Sequence, residues 1–463
     1  MSMLEVHNPY DQSPLATFEQ STTADIEQAL DNAQQLARRR GAVLPAYERI
    51  EILESLMAIM AGQVEELTHL AASEGGKPYL DSRVEVERAI NGVKLALEHL
   101  GQGSGAQIPM GQTPSSANRI AFTQREPIGV VAAISAFNHP LNLIVHQTVP
   151  ALAVGCPVLV KPAETTPLSC LRFVEMLAEA GLPPQWCQVL NCDVEGSQQL
   201  ATDTRIDYLS FIGSARVGWM LRSRLAPGVR CGLEHGGAAP VIVAADADWD
   251  DMIPSLIKGG FYHAGQVCVS VQRVYVQAQQ SEALASALAQ AADALTVGNQ
   301  LDPQTDVGPL ILPREVDRVA QWVEEARAGG GRILCGGRKL SATCYAPTVI
   351  LDPPEGSRVA QLEVFGPVVC VFSCGSREEA LRRANALPYA FQAAVFTRDL
   401  DAALDMATRL DATAVMVNDH TAFRVDWMPF GGRRQSGLGL GGIAYSMHEM
   451  TQDKMIVIKS DVL

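Results

Sequence analysis

Gly129-Val-Val-Ala-Ala-Ile-Ser-Ala-Phe-Asn-His-Pro-Leu-Asn-Leu-Ile-Val-His-Gln-Thr-Val-Pro-Ala-Leu-Ala-Val-Gly-Cys-Pro-Val-Leu-Val-Lys161 decides the fold. Val130 to Ile134 is a short apolar run, Leu141 to Val154 is long enough for a helix, and Pro157 to Val160 is a second short run. Strand, helix and strand in that order predict two parallel strands joined by a crossover. No Asp, Glu, Lys or Arg occurs from Pro127 to Val160, which suits strands covered on both faces. Four prolines and two histidines in the same stretch make it core rather than a membrane span.

Downstream the alternation continues. Pro167 to Ala180 reads as helix, Gln188 to Leu190 and Ile206 to Ile212 as strands. A second series starts after Glu234, with strands at Val241 to Ala244, Arg273 to Gln277, Pro367 to Phe372 and Ala393 to Phe396. Helices begin near Ser281, Arg314, Arg377 and Leu400. Two α/β series of this kind predict doubly wound parallel sheets. Upstream, Val6 to Phe18 reads as a hairpin, Thr22 caps a helix through Ile26, Leu30, Ala33 and Ala37, and three more amphipathic helices follow to Leu100. Arg119 to Glu126 alternates with one polar face, and Met455 to Lys459 is an isolated last strand. The two are expected to pair with each other or across subunits.

At 463 residues the chain is too long for a single core. Its net charge of −15 argues against nucleic acid or an anionic membrane as partner. Ten scattered cysteines show neither zinc nor disulfide spacing, so no metal is expected; reduced thiols without an apolar leader point to the cytoplasm.

Five groups carry chemistry. Cys268, in Phe261-Tyr-His-Ala-Gly-Gln-Val-Cys-Val-Ser-Val-Gln-Arg273, sits among small and β-branched residues that leave a thiol accessible but dry. A packing role is the bland alternative. Asn138 follows a strand end, where open sheets bind ligands, and its amide is suited to an oxyanion; a turn residue before His-Pro is the alternative. Lys161 and Glu164, after another strand, are suited to ribose hydroxyls or to a surface ion pair. In Phe211-Ile-Gly-Ser-Ala-Arg-Val-Gly218, a Gly213-Ser214 turn opens a helix whose free N–H groups suit a diphosphate. Glu234, in Leu233-Glu-His-Gly-Gly237, is either a mobile general base or an incidental acid in a boundary loop.

Together with Glu363-Val-Phe365-Gly-Pro367 and Pro429-Phe-Gly-Gly432…Ser436-Gly437, these segments resemble the aldehyde dehydrogenase superfamily in order and spacing over essentially the whole chain. The resemblance implies a Rossmann-type cofactor domain (1–107 and 128–233), an α/β catalytic domain (234–440) and a small β oligomerisation element (108–127 and 441–463). It implies Cys268 as nucleophile, Glu234 as base for the deacylating water, and Asn138 with the Cys268 N–H as oxyanion hole. Lys161 and Glu164 would hold the adenosine ribose, Gly213, Ser214 and Gly218 the diphosphate turn, and Glu363 with Phe365 the nicotinamide ribose. The cofactor is expected to be NAD, with NADP less favoured because Glu164 would repel a ribose phosphate. A homodimer or homotetramer is expected.

Three departures from the family pattern matter. Gly437-Leu-Gly-Leu-Gly-Gly442 lacks the Arg-Glu common near the end of the catalytic domain, which gives Glu234 more weight. His235 and His263 read as packing variants. Val267, where relatives that bind phosphonate or phosphate aldehydes tend to carry Arg, argues against a strongly anionic substrate, and the segment from Asn418 to Phe430 resembles relatives acting on short hydroxyaldehydes, so a small uncharged or hydroxy aldehyde is expected. Phe423, Trp427 and Phe430 are expected to wall the entrance, with Arg424 either meeting a carboxylate or, preferred, bridging to a neighbouring acid. The alternatives are a CoA-acylating dehydrogenase, in which Glu234 would usually be missing, and a non-catalytic protein on the same scaffold.

Overall fold

The computed structural model describes residues 2–38, 43–103 and 105–462. Two large sheets dominate. In the first, strands 131–134, 158–161, 187–189, 208–212 and 230–234 are parallel, and their spatial order places the fourth beside the first. That reversal is a topological switch point, where loops leaving the strand ends part and open a crevice. Asn138 and Gly213 leave the two strands that flank it.

The uncharged stretch forms the predicted unit. Val131–Ile134 and Val158–Lys161 are buried strands, and Asn142–Val154 is a helix buried all round apart from its last residue. Among the described residues no helix is long and apolar enough to cross a membrane. The four amino-terminal helices, Thr23–Arg38, Ala46–Gly62, Val64–Gly75 and Tyr79–Leu100, cover this sheet. Thr22 and Asp25 cap the first reciprocally: the Thr22 N–H donates to the Asp25 carboxylate and the Asp25 N–H to Thr22 Oγ1.

The second sheet has seven strands in the order 332–335, 348–351, 368–374, 271–277, 239–243, 392–396 and 414–417, all parallel except the first. Three of these, Arg332–Cys335, Thr348–Leu351 and Ala414–Val417, go beyond the strands predicted from sequence. The carboxyl ends of the first sheet and the amino ends of strands 271–277 and 368–374 meet at one cavity.

Thr451–Lys459 pairs with Arg119–Pro127 in antiparallel register, from Thr451 opposite Pro127 to Lys459 opposite Arg119. The two orphan strands therefore partner each other within the chain. Gly437–Leu438 joins the edge of the first sheet against Glu234 and Leu233, and Ile443, Met447 and Met450 fill its helical core. Only the last strand belongs with the small sheet.

Candidate active site

The cavity between the sheets has a volume of about 770 Å³. Of the ten cysteines, Cys268 alone lines it. The thiol sits on a short loop before strand 271–277, between the buried side chains of Val267 and Val269. Upstream, His263, Ala264 and Gly265 all have positive φ, a left-handed run that two non-glycine residues adopt only under constraint. A Cβ on Gly265 would overlap the Gly366 carbonyl, so this tight approach requires glycine. Burial pushes the Cys268 thiol up to about 12; Glu363 and Glu234 add to this and Arg424 opposes it.

Asn138 is buried, and its Nδ2 donates to the Gln266 carbonyl at 3.0 Å. Gln266 anchors the Cys268 loop in turn: its Oε1 accepts from the Ile311 N–H at 2.9 Å, and its Nε2 donates to the His263 and Pro309 carbonyls. Sequence reasoning gave Gln266 no role.

Two further buried acids were also missed. Glu85 accepts from the N–H groups of Leu141 and Asn142 at 3.0 Å each, capping the helix that follows the Asn138 loop. Its other oxygen is bound by Lys77, which also donates to His139 Nδ1 at 2.7 Å. Glu74 caps helix 168–179 in the same way, through Leu168 and Ser169. The only sequence signal was two acids inside otherwise amphipathic helices and a lysine in the loop between them.

Glu234 ends strand 230–234 and lines the cavity; burial raises its carboxyl above the ordinary range, opposed by Arg424. His235 packs as expected, with Nδ1 on the Gly213 carbonyl at 2.9 Å and its ring between Phe211 and Trp219. Gly218 is not on the cavity wall. It lies under His235, whose ring a Cβ there would overlap, so its glycine serves packing. His263 is fully buried with neither ring nitrogen partnered.

Lys161, Glu164, Gly213, Ser214, Glu363 and Phe365 line one arm of the cavity. Lys161 Nζ is 3.8 Å from Glu164 Oε1, so a donor and an acceptor stand side by side at a strand end. Ser214 caps helix Ala215–Arg222 by position without a side-chain hydrogen bond, which leaves its hydroxyl free. Glu363 is raised to about 8 by burial and accepts from the Gly237 N–H at 3.2 Å. Phe365 packs edge-on to Phe137 at 5.8 Å.

At the other end, Phe423 and Phe430 line the cavity but Trp427, 59% exposed, does not. Arg424 does not bridge to a neighbouring acid. Asp426, two residues on, is taken by Arg88 at 3.1 and 2.7 Å and by His146 Nε2 at 2.9 Å.

The family model described as the aldehyde dehydrogenase family matches residues 1–456. The chain belongs to the aldehyde dehydrogenase family. Among curated relatives, 3-sulfolactaldehyde dehydrogenase of Priestia aryabhattai is 38% identical over 457 residues, covering 98% of this chain and 94% of its own. Among solved structures, aldehyde dehydrogenase 21 from Physcomitrella patens, in complex with the reaction product succinate, has a TM-score of 0.95 at 35% identity and covers 99% and 95% of the two chains. Glyceraldehyde-3-phosphate dehydrogenase from Methanocaldococcus jannaschii, complexed with NADP, gives 0.93 at 33% identity with 99% of both chains covered. Solved relatives thus carry NAD or NADP. The arm holding Lys161 and Glu164 fits such a group: an ammonium and a carboxylate can serve the two hydroxyls of a ribose, and Gly213 leaves the strand–helix turn bare. The enzyme is an NAD(P)-dependent aldehyde dehydrogenase.

Proposed function

We propose that this aldehyde dehydrogenase converts a small aldehyde to its carboxylic acid by a covalent, hydrolytic route through Cys268, with NAD preferred. The single observation that carries this is a lone thiol on the cavity wall that also holds Glu234 and Asn138. Burial pushes the Cys268 thiol up, so the attacking thiolate is a minority form made by loss of the thiol proton to water. The sulfur bonds to the aldehyde carbon as the carbonyl π pair moves onto oxygen. That oxyanion accepts from Asn138 Nδ2 and the Cys268 N–H. NAD, when bound, supplies the acceptor for the hydride that leaves this carbon as the carbonyl re-forms as a Cys268 thioester. Glu234 then takes a proton from water, the hydroxide adds to the thioester carbon, and the C–S bond breaks to release the acid. A buried carboxylate with a raised proton affinity favours water over CoA as the acyl acceptor.

Glu164 faces the expected ribose with its carboxylate and disfavours a 2′-phosphate. The small three-stranded sheet, with exposed Met455 and Val457, is the proposed self-association surface. Cys268→Ala should abolish turnover, to below about one part in a thousand, with NAD binding retained. Glu234→Gln should release one equivalent of NADH in a burst and then stall with the acyl group on Cys268, seen by intact mass. Turnover by Cys268→Ala would refute the covalent route.

A further inference from the structure

Among the charged groups on the cavity wall that the chemistry above leaves without a task, Lys258 pairs with Asp81 and Arg314 and Arg318 pair with Glu315, whereas Arg424 has no such acid. The Arg424 guanidinium stacks on the Phe430 ring, with Cζ 3.6 Å from the centroid. Its one hydrogen bond runs from a terminal nitrogen to His146 Nδ1 at 3.4 Å, and its Nε is buried without a partner. Among the described residues no carboxylate oxygen lies within 4.0 Å of it.

The surrounding network explains why this charge stays unmatched. Asp426 accepts from Arg88 through both oxygens and from His146 Nε2. An ionised carboxylate only accepts, so His146 carries its proton on Nε2 and offers Arg424 a lone pair at Nδ1. His146 is therefore neutral, and burial holds it down at about 4. The charges of Arg88 and Asp426 cancel. Arg424 retains a full positive charge, since guanidinium does not give up its proton in a protein. A desolvated cation with an unsatisfied donor is costly unless something pairs with it.

We propose that Arg424 determines specificity by receiving an oxyanion, carboxylate or sulfonate, at the far end of the aldehyde, so that the substrate is a short acid-terminated aldehyde. The proposal rests on the reading of this cavity as the site of aldehyde oxidation. A planar guanidinium with a free Nε and a terminal nitrogen presents the fork that matches such a group. Val267 does not argue against it. Its side chain is only 7% exposed and packs with Val269, Phe391 and Phe430, so its apolar character serves that cluster.

The test compares succinic semialdehyde and 3-sulfopropanal with butanal, an uncharged aldehyde of similar length. Wild-type enzyme should prefer at least one anion over butanal in kcat/KM, and the more favoured anion identifies the head group. Arg424→Gln should lower the ratio of kcat/KM for that anion over kcat/KM for butanal by about 30- to 100-fold, mostly through KM for the anion. Arg424→Lys, which keeps the charge but not the fork, should recover part of the loss. Equal loss on charged and neutral substrates would overturn the proposal and leave Arg424 acting on Glu234 or Cys268. A wild-type preference for butanal would overturn it as well, without any variant that has to fold. Because the readout is a ratio between substrates, it holds whichever residue proves to be the nucleophile, whereas the covalent route stands or falls on Cys268→Ala.

Discussion

The carboxylate of Glu234 rests against the α-carbon of Gly441, and a Cβ at that position would overlap its Oε1. Gly441 lies in the segment where the Arg-Glu pair common in the family is missing. The glycine leaves room for the carboxylate proposed as general base. Gly441→Ala should displace Glu234, slow acyl-enzyme hydrolysis by about tenfold or more, and leave the first-turnover release of NADH near wild type. Stopped-flow traces separate the two phases; equal slowing of both would show that Gly441 matters for packing alone.

Cys268 should react slowly with alkylating agents in the absence of cofactor. With its thiol pushed up to about 12, the thiolate fraction rises with pH throughout the neutral range. The rate of iodoacetamide labelling should climb about tenfold per pH unit between pH 6 and 9 without a plateau. Peptide mass spectrometry of Cys268 against the buried Cys170 and Cys370 reads this directly. A plateau near neutrality would mean that Arg424 already holds the thiolate.

Lys77 and Glu85 should prove costly to separate. Both are fully buried, and Glu85 fixes the start of the helix that follows Asn138. Lys77→Met leaves a carboxylate without its partner and should destabilise the protein by about 3–5 kcal/mol. Burial alone would raise Glu85, but Lys77 and His139 together outweigh it, and folding holds the carboxyl below its ordinary value of 4.5. The unfolded chain therefore takes up the proton first, so the stability from Glu85 is present above pH 4.5 and is lost as pH falls below it. Thermal melts from pH 7 to 4 should show wild type losing more stability than a Glu85→Gln variant.

Glu164 should set the preference for NAD. Its side chain is 44% exposed and free to turn away, so repulsion of a 2′-phosphate is partly screened. Glu164→Ser should narrow the NAD over NADP ratio of kcat/KM by about tenfold, roughly 1.4 kcal/mol, chiefly through KM for NADP. No change in the ratio would place the discrimination elsewhere along the ribose arm.

Among the described residues, strand Thr451–Lys459 pairs on one side only, with Arg119–Pro127, and exposes Met455 at 57% and Val457 at 46%. An open apolar edge of this kind favours pairing with another copy. Wild-type protein should be a dimer or larger by light scattering, and Met455→Glu with Val457→Glu should shift it toward monomer. A monomeric, fully active wild type would remove this role.

The first sheet was legible because Pro127 to Val160 is uncharged and alternates short runs with one long one. Thr348–Leu351 escaped because a threonine and three apolar residues between Pro347 and Asp352 do not distinguish strand from core loop. Arg230–Glu234 escaped because a glycine and two charged ends look like a turn until Tyr208–Ile212 pairs with it. The reactive groups announced themselves as types at strand ends, but their partners did not. Arg88 claims Asp426 from 338 positions away, so no local pattern could show that Arg424 is left without an acid. Gly441 meets Glu234 only because Gly437–Leu438 returns to the first sheet.

The meeting of two sheets at one cavity also shapes how such an enzyme can diverge. Lys161 and Glu164 belong to one sheet's strand ends, while Phe423 and Arg424 belong to a loop after the last strand of the other. Point changes at either end leave the opposite end's backbone in place. A descendant of this chain can therefore trade its electron acceptor or its fuel separately, one substitution at a time, with the sulfur between them kept in its original setting.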